Sequence, residues 1–190
     1  MKVGVLALQG AFREQREACE ALGASVTEVR VPEHLGAVDA LILPGGESTT
    51  MVRLLHTSGL RDPLGDRLRD GLPVFGTCAG LILLATTVLD GIAGQDSFGV
   101  LDVTVRRNGY GRQRESFETA LAVAGAPDFP GVFIRAPLVE AVGPGVEVRA
   151  EHRGHTVLVC EGVRWGATFH PELSGDLRLH EQFLHAARAA

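Results

Sequence analysis

The chain has no run of apolar residues approaching the ~20 that a membrane-spanning helix needs, so no membrane partner is expected. It has only three cysteines, Cys19, Cys78 and Cys160. An odd number at wide spacing does not make a disulfide framework, and a reduced, cytoplasmic setting is the expectation. A leader is not evident either: Met1 runs straight into an apolar strand-like segment, without the charged and cleavable flanks of a signal peptide. Basic charge is not in excess, with 18 Lys and Arg against 23 Asp and Glu and a net charge of −5. That balance disfavours nucleic acid or an anionic membrane surface, yet leaves room for a small anionic substrate held by local arginines. Cys/His pairs at zinc-binding spacings are missing, and no metal is expected. Linkers, repeats and low-complexity segments are absent, so residues 1–190 read as one domain with a sizeable core.

What is present alternates. Val3–Leu8, Ser25–Val31 and Asp39–Leu43 read as apolar strands. Helices are predicted over Ala11–Leu22, Ser48–His56 and Pro63–Arg69, with Gly23 and Pro44-Gly45-Gly46 as breakers. Near-continuous apolar strands alternating with helices signal a parallel sheet covered on both faces. The later segments 100–108, 116–125, 131–142, 147–162 and 163–173 read as strands and hairpins, and a helix over Gly175–Arg188 closes the chain. The expected fold class is therefore α/β: a three-layer, mostly parallel flavodoxin-like sheet that gains antiparallel strands late.

Cys78 carries the first chemical signal. Leu72–Phe75 is β-favouring, Gly76-Thr77-Cys78-Ala79-Gly80 follows, and a helix-forming Leu-Ile-Leu-Leu-Ala run comes next. This is the cysteine form of a nucleophile elbow. The turn puts the thiol at a helix N-terminus, where a thiolate is favoured, and aims the Ala79 amide at a developing oxyanion. A buried core cysteine in a glycine-rich turn is the other reading of these residues.

A thiol nucleophile needs a base, and the base needs an orienting acceptor. Of seven histidines, His56, His180 and His185 fall on polar helix faces and read as solvated. His34 falls in a loop, and His152 and His155 flank an Arg153-Gly154 turn. His170 alone follows a buried-looking strand, in Phe169-His170-Pro171-Glu172. Pro171 favours an extended His170, which would put His170 and Glu172 on one side. Alone, the pair could equally be a structural histidine beside a surface glutamate.

A second glycine loop, Leu43-Pro44-Gly45-Gly46-Glu47-Ser48, joins a strand to a helix but lacks the lysine of a P-loop. Glu47 suits the helix N-terminus electrostatically whatever else it does. Arginines cluster in residues 106–118 around a Gly-Tyr-Gly turn, and Arg135 ends an apolar strand in Phe133-Ile134-Arg135-Ala136-Pro137. Near a thiol pocket such arginines would suit a substrate carboxylate.

Together, these segments resemble the triad (class I) glutamine amidotransferases. The Pro-Gly-Gly-Glu-Ser-Thr, Gly-Arg-Gln-x-x-Ser-Phe-Glu and Phe-Ile-Arg-Ala-Pro segments are similar, more narrowly, to the glutaminase subunits of pyridoxal 5′-phosphate synthases. Arg106 stands where relatives are expected to carry an acidic residue. The resemblance implies hydrolysis of L-glutamine to glutamate and ammonia. It assigns attack to Cys78, proton transfer to His170 and orientation of His170 to Glu172. Ala79 and a peptide N–H of Gly45-Gly46 would form the oxyanion hole. Gly46, Glu47, Ser48, Arg107, Ile134 and Arg135 match glutamine-holding positions, with Glu47 facing the α-ammonium and the arginines the α-carboxylate. Gln9 is expected beside the oxyanion loop at a partner interface. The implied partner is a (β/α)8-barrel synthase subunit that uses the ammonia. Pyridoxal phosphate is then a product, so no cofactor is expected. The rivals are a triad glutaminase serving another synthase, an elbow-cysteine hydrolase on a flavodoxin-like sheet, and a docking module without turnover.

Overall fold

A computed structural model describes residues 1–91, 96–107, 109 and 116–190. Most of the Gly-Tyr-Gly turn and the Gly-Arg-Gln segment, including Tyr110, lie outside the described residues.

The first half folds as its pattern demands. Strands β1 (Lys2–Leu6), β2 (Ser25–Val29), β3 (Ala40–Leu43) and β4 (Val74–Thr77) are parallel neighbours in the order β2-β1-β3-β4. All of β3 and β4 is buried, as interior strands covered on both faces must be. Helix α1 (Phe12–Ala21) stops at Gly23, which adopts φ +75. There Gly23 N–H donates to Glu20 O, and Ala24 N–H to Cys19 O, closing the helix end. Helices α2 (Ser48–Thr57), α3 (Arg61–Arg69) and α4 (Ala79–Leu84) complete this half.

Helix α4 is only six residues long. The helical run ends at Leu84, and β-branched Thr86, Thr87 and Val88 then favour strand β5 (Ala85–Leu89), paired in parallel with β6 (Leu101–Arg106). Antiparallel β9 (Leu138–Val142) completes a separate three-stranded sheet. Strands β7 (Phe117–Val123) and β8 (Ala126–Phe133) form their own hairpin. The late strands therefore divide: β10 (Glu147–His152) and β11 (His155–Glu161) extend the main sheet antiparallel, while β12 (Arg164–Ala167) runs parallel to β4. His152 and His155 flank the β10–β11 turn, with Arg153 and Gly154 both at positive φ.

Two segments read as strands and hairpins are strand over only part of their length. Residues 131–142 turn at Arg135, which adopts φ +46, and Pro137 follows. Residues 163–173 leave the sheet after Ala167 and end in a 3-10 turn over Pro171–Leu173.

The seven-stranded sheet separates two cores. Leu43, Met51, Leu55, Leu64 and Leu81 pack on one face beneath α2, α3 and α4. Val5, Ile42, Phe75, Phe169 and Phe183 pack on the other, with α1, the β7–β8 hairpin and α5 (Arg178–Arg188). Among the described residues no helix is long and apolar enough to cross a membrane.

Candidate active site

Parallel strands in register bring their C-terminal ends to one edge, and ligand crevices form there. The loops after β1, β3, β4 and β12 carry Gly10-Ala11, Gly45–Ser48, Cys78-Ala79 and His170 respectively, and all of these residues line one cavity of about 210 Å³. Ile82, Arg107, Ile134 and Arg135 complete its wall.

Cys78 sits at φ 49, ψ −102. A non-glycine residue persists in such a conformation only where its surroundings hold it, at a cost of about 1–3 kcal/mol. Here Cys78 N–H donates to Ala167 O at 2.8 Å, which fixes the elbow to β12. The flanking glycines are steric requirements. A Cβ on Gly76 would come within 2.6 Å of the Gly80 carbonyl carbon, and one on Gly80 would overlap the Leu43 carbonyl oxygen. The thiol donates to Ile134 O at 3.9 Å.

His170 N–H is tethered to Val132 O at 2.8 Å, and its Nδ1 lies 2.8 Å from Glu172 Oε1. The Glu172 side chain is fully buried behind the ring. The contact arises differently from the extended geometry expected. His170 is non-helical at φ −111, ψ 83, but Glu172 lies in the 3-10 turn that starts at Pro171. The short turn, rather than a two-residue repeat, folds the carboxylate back under the imidazole. Burial disfavours the imidazolium, yet the Glu172 carboxylate that accepts from the ring and the neighbouring Cys78 sulfur together outweigh it and push the His170 pKa up to about 10. With Nδ1 on Glu172, Nε2 is the nitrogen left to serve the thiol.

The glycine loop lies against this pair. A Cβ on Gly45 would overlap the His170 ring, and it would come within 3.3 Å of Cys78 Cβ. Ala11 N–H donates to Gly45 O at 2.9 Å, so the Gly46 N–H of the same trans peptide points away from α1. Gly10, at φ +91, has no side chain because one would overlap that same carbonyl. Gln9 is beside the loop as expected, accepting from Glu47 N–H through Oε1 at 2.8 Å.

Glu47 caps α2: its carboxylate accepts from Thr50 N–H and Oγ1, both at 2.7 Å, and from Thr49 N–H at 3.2 Å. Burial works against its charge, but these bonds hold its pKa below the usual carboxylate range. Arg107 Nη2 approaches Glu47 Oε1 at 3.5 Å, setting opposite charges side by side at the cavity. Arg106, by contrast, turns outward and pairs with Asp90 and Glu140, each at 2.6 Å.

A buried thiol, an imidazole beside it, a carboxylate behind and a glycine loop in front can perform acyl transfer. The model of the SNO glutamine amidotransferase family matches residues 5–188. The chain belongs to that family. Pyridoxal 5′-phosphate synthase subunit PdxT of Streptomyces avermitilis is 52% identical over 189 residues, covering 98% of this chain and 94% of the relative. The protein of the same name from Thermotoga neapolitana is also 52% identical, over 99% of this chain and all of its own. A crystal structure of a glutamine amidotransferase superposes with TM-score 0.92 at 50% identity, covering 98% of each chain. PurLQS from Thermotoga maritima, at 15% identity and TM-score 0.64, shares the fold alone.

Within this family member the structure gathers Cys78, His170, Glu172, Gly45, Gly46, Glu47, Ser48, Ala79, Arg107, Ile134 and Arg135 at one place. Sequence reasoning missed Gly10, Ala11 and Ile82, which carry no chemical group to mark them. It also misplaced His180, read as solvated but fully buried. Its signal was available: Leu179, Phe183 and Leu184 put His180 on the apolar stripe of α5.

Proposed function

We propose that this chain is the glutaminase subunit of a pyridoxal 5′-phosphate synthase, acting in the cytoplasm as one glutaminase domain over residues 1–190. The observation that carries the mechanism is His170, bonded through Nδ1 to Glu172, set beside Cys78 in one cavity and against the Gly45-Gly46 loop. The names and 52% identity of full-length relatives support the pathway.

Cys78 gives its proton to His170, and the thiolate attacks the side-chain amide carbon of L-glutamine. The oxyanion meets the Ala79 amide and a Gly45-Gly46 peptide N–H, each donor contributing about 3 kcal/mol. Glycine lets that peptide reorient cheaply when the loop is engaged. His170 returns the proton to the leaving nitrogen and ammonia departs, leaving a γ-glutamyl thioester. Water, deprotonated by His170, attacks the thioester; glutamate leaves and the thiol re-forms. Gly46, Glu47, Ser48, Arg107, Ile134 and Arg135 hold the amino acid, with Glu47 toward its ammonium and the arginines toward its carboxylate. The ammonia passes to a (β/α)8-barrel synthase subunit, and pyridoxal phosphate forms there as product.

The test mixes the purified chain with such a synthase and follows glutamate release and pyridoxal phosphate formation. Cys78→Ala is expected to lower glutamine-driven synthesis by about 10³-fold or more, while ammonium salts still support it. Full glutaminase activity in Cys78→Ala would refute the mechanism.

A further inference from the structure

Three polar side chains meet in the otherwise apolar core between α1, α5 and the sheet. Gln15, Thr77 and His180 are each 0% exposed. Gln15 Nε2 donates to Thr77 Oγ1 at 3.0 Å, and Gln15 Oε1 lies 2.8 Å from His180 Nε2. With the amide oxygen toward His180, the ring nitrogen donates and so fixes which end of the amide faces Thr77. His180 is seated edge-on against Phe75, with ring centroids 6.1 Å apart. Thr77 is the residue before Cys78 and the last of β4.

Such a chain is costly to bury, and apolar residues of similar volume would fill the space. What it does provide is connection. Helix α1 holds the oxyanion loop at its start, where Ala11 N–H binds Gly45 O at 2.9 Å. One turn later the same helix holds the strained elbow through Gln15, whose own N–H returns to Ala11 O at 3.2 Å. The two halves of the catalytic centre are thus fastened to one helix.

We infer that Gln15, oriented by His180, is a positioning residue: it registers the Cys78 elbow against the Gly45-Gly46 loop through Thr77. This rests on the glutaminase reading. It acts on the attack geometry, so its loss lowers kcat and leaves glutamine binding alone.

The test uses the chain in complex with a synthase subunit. Gln15→Leu, Thr77→Val and His180→Leu are each expected to lower kcat for glutamate release by about tenfold, with KM within about twofold of wild type. His180→Gln, which keeps a donor near the Nε2 position, should recover most of the loss. The Gln15→Leu/His180→Leu double variant should be no slower than either single variant, since one chain is being cut twice. Where Gln15→Leu does not fold, Thr77→Val, which removes only the hydroxyl, carries the test. An unchanged kcat per folded molecule, or a rise in KM alone, overturns the inference. Iodoacetamide alkylation of Cys78, mapped by mass spectrometry, separates this from failure of the glutaminase reading. It should slow in Thr77→Val even if wild type released no glutamate, and an equal rate in both would end the proposal.

Discussion

Gly45 lacks a side chain where the His170 ring stands, so the smallest addition tests the site without touching its chemistry. A methyl there overlaps the imidazole and crowds Cys78. Gly45→Ala should cut glutamine hydrolysis by about 10²-fold, because a displacement of about 1 Å is enough for such a loss. Steady-state kinetics beside a thermal melt will separate this from unfolding, and near-normal kcat would mean the loop is not packed on the ring. His180 offers a second test at this scale. Burial pushes its pKa down to about 4. The unfolded chain then binds the extra proton first, so stability is present above the unfolded pKa and falls as pH drops below it. Between about pH 7 and about pH 5 the loss attributable to His180 is about 2 kcal/mol. Urea unfolding at both pH values should show that loss in wild type and not in His180→Leu; equal slopes would place the ring in contact with water. Cys78, His170 and Glu172 were legible as a candidate site because Gly76-Thr77-Cys78-Ala79-Gly80 and His170-Pro171-Glu172 are local patterns. Gln15 and His180 are 165 positions apart. No local spacing announces such a pair, although each is a polar residue on an apolar helical stripe.

At the start of helix α2 one side chain both caps the helix and reaches the cavity. Glu47 caps it, and the same carboxylate stands beside Arg107 at the cavity. Glu47→Ala should lower stability by about 1 kcal/mol, seen as a shifted urea midpoint with unchanged slope. It should also raise KM for glutamine. A stability loss with unchanged KM would leave Glu47 as a cap alone. The elements read best from sequence were β1, β3 and β4, whose buried apolar runs leave little choice. Read worst was β5, a five-residue strand the pattern left unassigned: β-branched Thr86, Thr87 and Val88 are a local sign of strand, but the pairing with β6 is set by residues distant in sequence. The strand end at Arg135 was legible, but its left-handed backbone was not: a positive φ at a non-glycine residue is imposed by its surroundings.

The whole molecule is an arrangement that lets one edge of a sheet collect groups from β1, β3, β4 and β12. It also sorts three thiols. Cys19 is buried in the core on the α1 face, and burial, with Glu20 nearby, pushes its pKa up to about 12. Cys160 is raised chiefly by burial, and its thiol donates to Gly162 O at 3.2 Å. Only Cys78 opens onto the cavity. Exposure of the synthase complex to 6-diazo-5-oxo-L-norleucine, followed by peptide mapping, therefore tests the central claim most directly. One adduct is predicted, on Cys78, forming in step with loss of glutamate release and prevented by His170→Ala. Equal labelling of Cys19 and Cys160, or full glutamate release from a chain already modified at Cys78, would contradict it.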